Sequence, residues 1–359
     1  MTVTDSGTSP HLVAPDELAP SVQLIRRVLD ELDGILLGQR QLNRMVLSGV
    51  LARGHILLEG LPGVGKTALV KAMGELLGLG FARVQFTPDL MPSDILGSHI
   101  LQNDAQGRRE MQFEPGPVFT NILLADEINR ASPKTQSALL EAMQERCVTL
   151  MGKTRPLPAP FFVLASQNPI ELEGTYPLPE AQLDRFLFKL TVGGVNVETL
   201  EQIITTRRRG EPPKPGWKVS EQQLLALFAA MDAIFLPKAV GRYISRLAAA
   251  THPASPEATE MVRNYVSYGA SPRAAIAMAE AARALALMDG RPTVGFADVK
   301  TVAPAVLNHR LILNYKAKFD GLDAFAVIGG ILESLDEAQV HLPSDIAIAG
   351  ATIAREARA

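Results

Sequence analysis

The amino-acid sequence predicts an α/β fold in which a five-stranded parallel sheet, covered by helices, is followed by an all-α domain. Five apolar runs alternate with helical patterns between about residues 21 and 192: HILLEG, FARVQF, NILLAD, PFFVLAS and RFLFKL. Near-continuous apolar strands of this kind are typical of parallel sheets that are buried on both faces. Beyond residue 195 only helical periodicity remains, so we expect a helical domain over residues 195–335.

The ends of the chain and the change between the two patterns are interpreted from composition. Residues 1–20 are rich in Pro, Ser, Thr and Asp without apolar periodicity, which predicts a flexible N-terminal tail. Residues 336–359 are taken as a separate C-terminal segment. The pair Gly193-Gly194 falls where the strands end, and it is either a hinge between the two domains or an ordinary loop.

Composition points to a globular chain that works in water. The protein has 359 residues, of which 47% are hydrophobic and 20% charged, with a net charge of −3. The N-terminus lacks a signal-peptide pattern, and the apolar stretch AFAVIGGIL at 324–332 is too short to span a membrane, so we expect a buried helix there and no membrane insertion. The single cysteine, Cys147, excludes an internal disulfide and favours the cytoplasm.

The stretch EGLPGVGKTALV at residues 59–70 has the P-loop pattern, in which two glycines five residues apart precede Lys66 and Thr67. Glycines allow backbone N–H groups to converge on phosphate oxygens at a helix N-terminus. Lys66 is expected to reach the β- and γ-phosphates, and the Thr67 hydroxyl to ligate Mg²⁺. The predicted nucleotide-binding residues of this loop are Gly60, Pro62, Gly63, Val64, Gly65, Lys66, Thr67 and Ala68.

Polar residues also end two further predicted strands. Asp126 and Glu127 close the run NILLADE, at the strand end that faces the ligand crevice of an α/β sheet. We expect Asp126 to hold Mg²⁺, usually through water, and Glu127 to orient and polarise the attacking water. Asn168, in FFVLASQNP, follows the next strand and is suited to position the same water; the alternative is an ordinary Asn-Pro turn.

Two arginines are candidates for phosphate contacts. Arg185, in PEAQLDRFLF, carries a permanent charge and a planar donor fork suited to a γ-phosphate, although a surface ion pair with Asp184 is the alternative. Arg273, in GASPRAAIA, lies in the first turn of a predicted helix. A cation there opposes the helix dipole, so an external anion is expected to compensate.

Residues 21 to about 330 resemble the MoxR branch of the AAA+ ATPases, in the group that also holds magnesium chelatase motor subunits and minichromosome-maintenance helicases. The resemblance rests on five motifs in order: Walker A GLPGVGKT, Walker B ILLADE, sensor-1 SQNP, EAQLDRF and sensor-2 GASPRA. It implies a P-loop AAA+ core with a helical lid, and ATP and Mg²⁺ as cofactors. Asp126 would then hold the metal, Glu127 would be the catalytic carboxylate and Asn168 sensor 1.

The resemblance implies further roles. Arg185 would be a finger supplied to a neighbour's site and Arg273 would be sensor 2, while ILLGQ, which contains Gly38 and Gln39, would line the adenine pocket. Residues 97–118 and 147–160 resemble a hairpin inserted into helix 2 and a hairpin before sensor 1. In a ring they would lie near the pore or the partner face; otherwise they are decorative surface hairpins.

By resemblance, we expect an ATP-hydrolysing hexameric ring that remodels or matures a protein partner. Partners with von Willebrand factor A domains, and roles in metal-cofactor insertion or complex assembly, are typical of the family. A nucleic-acid-stimulated motor and a nucleotide-gated binding scaffold remain alternatives. Nucleic acid is not the expected partner, because the net charge is −3 and the basic run TTRRRGEPPKPGWK is short and lacks interleaved aromatic residues.

Overall fold

A computed structural model describes residues 12–61, 63–103, 109–169, 174–207 and 211–337. The chain divides into two compact units. The first consists of the described residues through Phe235 together with Glu280–Thr293, and the second consists of Leu236–Ala279 and the described residues from Val294 onward.

The first unit contains a parallel sheet, two hairpins and the surrounding helices. Its strands are β1 (Ile56–Gly60), β2 (Phe81–Gln85), β3 (Gly97–Asn103), β4 (Arg109–Pro115), β5 (Ile122–Asp126), β6 (Cys147–Leu150), β7 (Lys153–Pro156), β8 (Phe162–Gln167) and β9 (Phe188–Val192). Its helices are α1 (Pro15–Ile35), α2 (Arg40–Leu51), α3 (Lys66–Leu76), α4 (Pro92–Leu96), α5 (Pro133–Glu145), α6 (Glu180–Leu183), α7 (Val197–Thr206) and α8 (Glu221–Ala233), with a short 3-10 turn at Ile128–Arg130.

The sheet confirms the predicted α/β class. Its five strands are all parallel and lie in the order β2-β5-β8-β1-β9. Because β8 lies between β5 and β1, the carboxyl ends of these three strands are side by side, which is where ligands bind in open α/β sheets. The sheet is buried on both faces, and its fully buried side chains include Leu57, Leu58, Leu123, Leu124 and Val163.

Both predicted hairpins are present. β3 pairs with β4 and β6 pairs with β7, each in antiparallel register. One cluster joins the two hairpins, since the Arg155 guanidinium lies 3.9 Å from the centre of the Phe113 ring and its Nη2 lies 3.4 Å from Nε2 of His99. A role for the hairpins at a pore or partner face stays a prediction.

The predicted N-terminal tail is too long. α1 begins at Pro15, so residues 15–20 are helical. The Pro and acidic residues that were interpreted as tail composition are here the ordinary start of a helix, with Pro15 in the first turn followed by Asp16 and Glu17. Leu18, in the same turn, is 1% exposed and anchors the helix in the core.

The boundary between the compact units lies after Phe235, beyond the predicted change at Gly193-Gly194. α8 belongs to the first unit because it packs against α1 and α2. Its buried face consists of Leu224, Leu227, Phe228 and Met231. Helical periodicity indicates that such a helix exists but not which core it joins.

The second unit is helical, as predicted. Its helices are α9 (Lys238–Ala250), α10 (Glu260–Tyr265), α12 (Phe296–Leu307), α13 (Tyr315–Phe319) and α14 (Ala324–Ser334), and α11 (Pro272–Met288) contributes residues to both units. One antiparallel pair, β10 (Val266–Tyr268) with β11 (Ile312–Leu313), was not predicted because strands this short show no alternation. AFAVIGGIL forms α14, with Val327, Ile328 and Ile331 buried. Among the described helices, none is both long and apolar enough to cross a bilayer.

Candidate nucleotide-binding site

The loop between β1 and α3 has the backbone geometry of a phosphate cradle. Gly63 and Gly65 adopt φ values of 82° and 89°, in the left-handed region that favours glycine, and Gly65 caps the N-terminus of α3. At Gly60 the requirement is space, because a Cβ there would lie 2.5 Å from the Val192 carbonyl oxygen on the neighbouring strand. The predicted contact residue Pro62 lies outside the described residues.

Lys66 is the first residue of α3 and is held inside the loop. Its side chain is buried, with 8% of the residue exposed, and Nζ donates a hydrogen bond of 2.7 Å to the Gly60 carbonyl. Burial lowers the pKa of Lys66, while the charges of Asp126 and Glu127 act to raise it. The ammonium group therefore lies in the field of both carboxylates. Val64, Thr67 and Ala68 are half-buried beside it.

The segment that contains Gly38 and Gln39 lies beside this loop. A Cβ built on Gly65 would lie 3.8 Å from Cδ2 of Leu36, in the same segment. Gly38 has φ 73° and approaches α7 so closely that a Cβ would come 2.7 Å from Oγ1 of Thr199. Gln39 Nε2 donates a hydrogen bond of 3.0 Å to the Gly193 carbonyl. The segment is thus adjacent to the phosphate loop, and its contact with adenine stays a prediction.

Asp126 is the last residue of β5, and both of its carboxylate oxygens accept hydrogen bonds. Oδ1 accepts from Oγ of Ser166, on the adjacent strand β8. Oδ2 accepts from Nη2 of Arg83 at 2.7 Å and from Nε of the same guanidinium at 3.2 Å. The residue is 8% exposed. Because these hydrogen bonds come from the protein itself, they orient the carboxylate before any ligand binds.

Glu127 follows in a strained backbone conformation. Its φ and ψ are 56° and 49°, which a non-glycine residue adopts only where the surroundings hold it, often at functional sites. Its N–H donates to Oγ of Ser166 at 2.9 Å. Its Oε2 accepts from Nε2 of Gln85 at 2.7 Å and lies 3.2 Å from Nε of Arg130. Backbone and side chain are therefore both fixed.

Asn168 comes directly after β8 and is 7% exposed. The residue before it, Gln167, is in register with Glu59 of β1 and donates to Oε1 of Glu59 at 2.6 Å. Lys189 of β9 pairs with the same carboxylate oxygen at 2.9 Å. These contacts link the three neighbouring strands β8, β1 and β9. Asn168 itself follows the carboxyl end of β8, on the side of the sheet where β1 leads into the phosphate loop and β5 ends at Asp126.

The described contacts of the two predicted arginines are local to their own elements. Arg185 follows α6, three residues before β9 begins, and its Nη1 donates to the Leu140 carbonyl of α5 at 2.6 Å. Among the described residues, none accepts a hydrogen bond from its buried Nε–H. Arg273 is exposed in the first turn of α11, where its N–H donates to Oγ of Ser271 at 3.2 Å. The finger and sensor-2 roles stay predictions.

Comparison with known proteins places this site in a family. A profile described as the ATPase family associated with various cellular activities matches residues 55–188, and an AAA lid domain profile matches residues 258–329. The chaperone MoxR1 of Mycobacterium tuberculosis is 46% identical over 90% of this chain and 85% of its own length. The chain belongs to the MoxR family of AAA+ ATPases. The predicted family and the P-loop core with a helical lid are thereby confirmed.

Two further relatives and a solved structure are similar to most of this chain. MoxR of Paracoccus denitrificans is 32% identical over 79% of the chain and 87% of its own length. YeaC of Bacillus subtilis is 42% identical over 87% and 94%. A protein of known structure from Cytophaga hutchinsonii is 40% identical and superposes with a TM-score of 0.80, covering 89% of this chain and 97% of that one.

In this MoxR protein, the structure adds three residues that the sequence analysis did not assign to the site. Ser166 lies inside the SQNP motif, next but one to Asn168, and bridges Asp126 and the Glu127 N–H. Arg83 and Gln85 lie in FARVQF, one of the apolar runs that predict the strands of the sheet. Two polar residues at alternate positions of a strand lie on one face, and this was the available signal.

The donor set fits a magnesium nucleotide. The loop and the start of α3 supply backbone N–H groups and the Lys66 ammonium, which donate hydrogen bonds to phosphate. The Thr67 hydroxyl and the Asp126 carboxylate supply hard oxygen ligands for a metal. Within the described parts of the chain, no cluster of three or more His, Cys, Asp or Glu side chains could hold a metal without further ligands. The pair Thr67 and Asp126 suits Mg²⁺, because this ion is usually bound by one or two protein ligands together with substrate phosphates.

Proposed function

We propose that this MoxR-family protein binds and hydrolyses ATP with Mg²⁺ in a ring of identical subunits, and uses the cycle to remodel a protein partner. The observation that carries the proposal is the convergence of Lys66, Asp126 and Glu127. The lysine lies in the electrostatic field of both carboxylates, and each carboxylate is oriented by at least two hydrogen-bond donors.

In this proposal the residues of the first unit divide the work. The backbone N–H groups of the P-loop and Lys66 bind the phosphates, and Thr67 and Asp126 hold the metal. Bound Mg²⁺ would neutralise charge that develops on the transferred phosphoryl group. Glu127 orients and polarises the attacking water molecule, and Asn168 positions the same water. Phosphoryl transfer asks mainly for such positioning and charge stabilisation.

Arg185 is proposed to complete the site of an adjoining subunit. A guanidinium has five N–H donors, and one of them donates to the Leu140 carbonyl. The proposal is supported by its buried Nε–H, for which the described part of the chain offers no acceptor. Fingers of this type are worth roughly 10³ to 10⁵ in rate in P-loop enzymes. We propose a hexamer as the ring size.

A protein client is proposed because the mycobacterial relative carries the name chaperone. Partners with von Willebrand factor A domains, and a task in metal-cofactor insertion or complex assembly, remain part of this proposal. The single cysteine is half-buried and free, which supports a reducing compartment such as the cytoplasm. DNA-stimulated hydrolysis together with salt-dependent DNA binding would instead indicate a nucleic-acid motor.

The test is a matched pair of variants on one helix. Lys66→Ala removes the phosphate donor, whereas Lys71→Ala removes an exposed lysine that pairs with Glu75 at 4.0 Å on the same α3. We expect Lys66→Ala to lose nucleotide binding and phosphate release and Lys71→Ala to keep both. Equal activity of the two variants would refute the assignment of Lys66 to the nucleotide-binding site.

Light scattering with and without ATP tests the proposed ring. A protein that stays monomeric while it hydrolyses ATP at its maximal rate would refute the ring.

A further inference from the structure

Arg83 forms an ion pair with the proposed metal ligand, Asp126. It lies on β2, the edge strand next to β5, where Arg83 is in register with Leu124 and Gln85 with Asp126. Its guanidinium reaches the diagonal neighbour, and both Nη2 and Nε donate to one oxygen, Oδ2 of Asp126, at 2.7 and 3.2 Å. The Asp126 side chain is 12% exposed and that of Arg83 is 48% exposed, so only the cation has ready access to water.

The hydrogen-bonding capacity of Asp126 is nearly full. An ionised carboxylate offers about four acceptor positions on its two oxygens. Arg83 takes two of them on Oδ2, and Ser166 takes one on Oδ1. About one position therefore remains for a metal ion or for the water that a metal carries. A ligand that needs Oδ2 must compete with the guanidinium.

We propose that Arg83 is a resident counter-ion of the metal-binding carboxylate and thereby sets the Mg²⁺ concentration at which the protein binds nucleotide. This inference rests on the proposed function, since it concerns the same site. Arg83 is a positioning residue here, because it acts on the metal through Asp126. A cation held at hydrogen-bond distance from a carboxylate reduces the attraction of that carboxylate for a second cation.

The direction in which removal of Arg83 changes nucleotide binding distinguishes this role from that of a purely structural ion pair. Removal of the guanidinium charge leaves Asp126 more available to Mg²⁺, so metal-dependent binding should need less Mg²⁺. Without Mg²⁺ the same removal takes a positive charge away from the neighbourhood of the phosphates, so metal-free binding should stay equal or weaken. General loosening of the fold would weaken binding in both conditions.

The experiment measures equilibrium binding of a fluorescent ADP analogue to the full chain while Mg²⁺ is titrated, with a parallel measurement in EDTA. We expect Arg83→Gln and Arg83→Met to lower the Mg²⁺ midpoint by about two- to fivefold, the range for one partly exposed ion pair. Arg83→Lys keeps the charge and should shift the midpoint less than either neutral variant. Arg53→Gln is the control, since Arg53 pairs with Asp232 and makes no described contact with Asp126.

Failure of the Arg83 inference and failure of the proposed function give different results in this experiment. A midpoint that is unchanged or raised in both neutral variants overturns the inference, and so does a Lys variant that shifts as far as they do. In an Asp126→Asn background the substitution of Arg83 should have no effect, and a shift that persists there also overturns it. Wild-type protein that shows no Mg²⁺-dependent nucleotide binding refutes the proposed function instead. Thermal unfolding of each variant verifies that the fold is retained.

Discussion

Ser166 links the two acidic residues of the site through one hydroxyl group. Its Oγ donates to Oδ1 of Asp126 and accepts the N–H of Glu127, across two adjacent strands. The serine is fully buried, so neither contact is exchanged with solvent. The strained backbone of Glu127 is therefore held by the same group that orients the proposed metal ligand.

Replacement of Ser166 by Ala should impair both stability and chemistry. The Glu127 N–H loses its acceptor, and leaving a buried donor unsatisfied costs about 1–3 kcal/mol. We expect the free energy of unfolding to fall by that amount and kcat to fall more than nucleotide affinity, because Glu127 loses its support. Urea unfolding and steady-state ATPase assays check this. Ser245→Ala, which removes an exposed hydroxyl bonded to the Gly241 carbonyl, is the control; unchanged kcat in Ser166→Ala would contradict the role.

The shared-site proposal predicts complementation between two inactive variants. Glu127→Gln should bind ATP without cleaving it, and Arg185→Ala should bind ATP without turnover. Mixed rings should regain part of the wild-type rate, because some interfaces pair an intact Glu127 with an intact Arg185. Phosphate release from mixtures at varied ratios measures this. If both variants assemble and no mixture recovers activity, Arg185 is not a finger.

Gly60→Ala tests the close approach of β1 and β9. The new Cβ would lie 2.5 Å from a backbone oxygen, which cannot move without separating the strands. We expect a loss of about 1–3 kcal/mol in unfolding free energy, measured without nucleotide. Gly194→Ala is the matched control, since a Cβ there meets no atom within 4 Å; its effect should stay within about 0.5 kcal/mol. Equal stability of the two variants would show that the strands can relax.

His55 gives the first unit a pH-dependent stability. Burial, assisted by the charge of Arg146, lowers the pKa of His55 from 6.5 to about 4. The geometry agrees, because Nδ1 accepts the Val163 N–H at 3.0 Å while Nε2 lies 3.2 Å from the Met143 carbonyl, which fits one neutral tautomer. Between pH 6.5 and 4 the histidine is protonated in the unfolded chain but neutral in the folded chain. The contribution of His55 to the free energy of unfolding is therefore complete above pH 6.5 and is lost as the pH falls towards 4.

The expected slope is at most about 1.4 kcal/mol per pH unit for this one group. Urea unfolding from pH 4 to 7 measures it as the difference between wild type and His55→Gln, in which the slope should be smaller. His252→Gln, at an exposed histidine whose Nε2 lies 3.0 Å from the Ala270 carbonyl, is the matched loss of an imidazole elsewhere in the chain. Parallel curves for wild type and His55→Gln would show that this proton is not linked to folding.

Much of the fold and site could be predicted because the signals are local. Strands of the sheet show as apolar runs, and the phosphate loop requires glycines at positions such as Gly63 and Gly65 whose backbone has positive φ. The helix at Pro15 was missed because its polar first turn has the composition of a tail. Arg83 was missed because its partner Asp126 is 43 residues away in the chain.

The sequence by itself determined the element types, the P-loop and the identity of the carboxylates, since each depends on the conformational preferences and chemistry of neighbouring residues. Only the tertiary structure decided which strand ends meet, and hence that Ser166 and Arg83 share the two oxygens of Asp126. Strand order and side-chain hydrogen bonds depend on contacts between distant segments, and no local pattern encodes the distance between them.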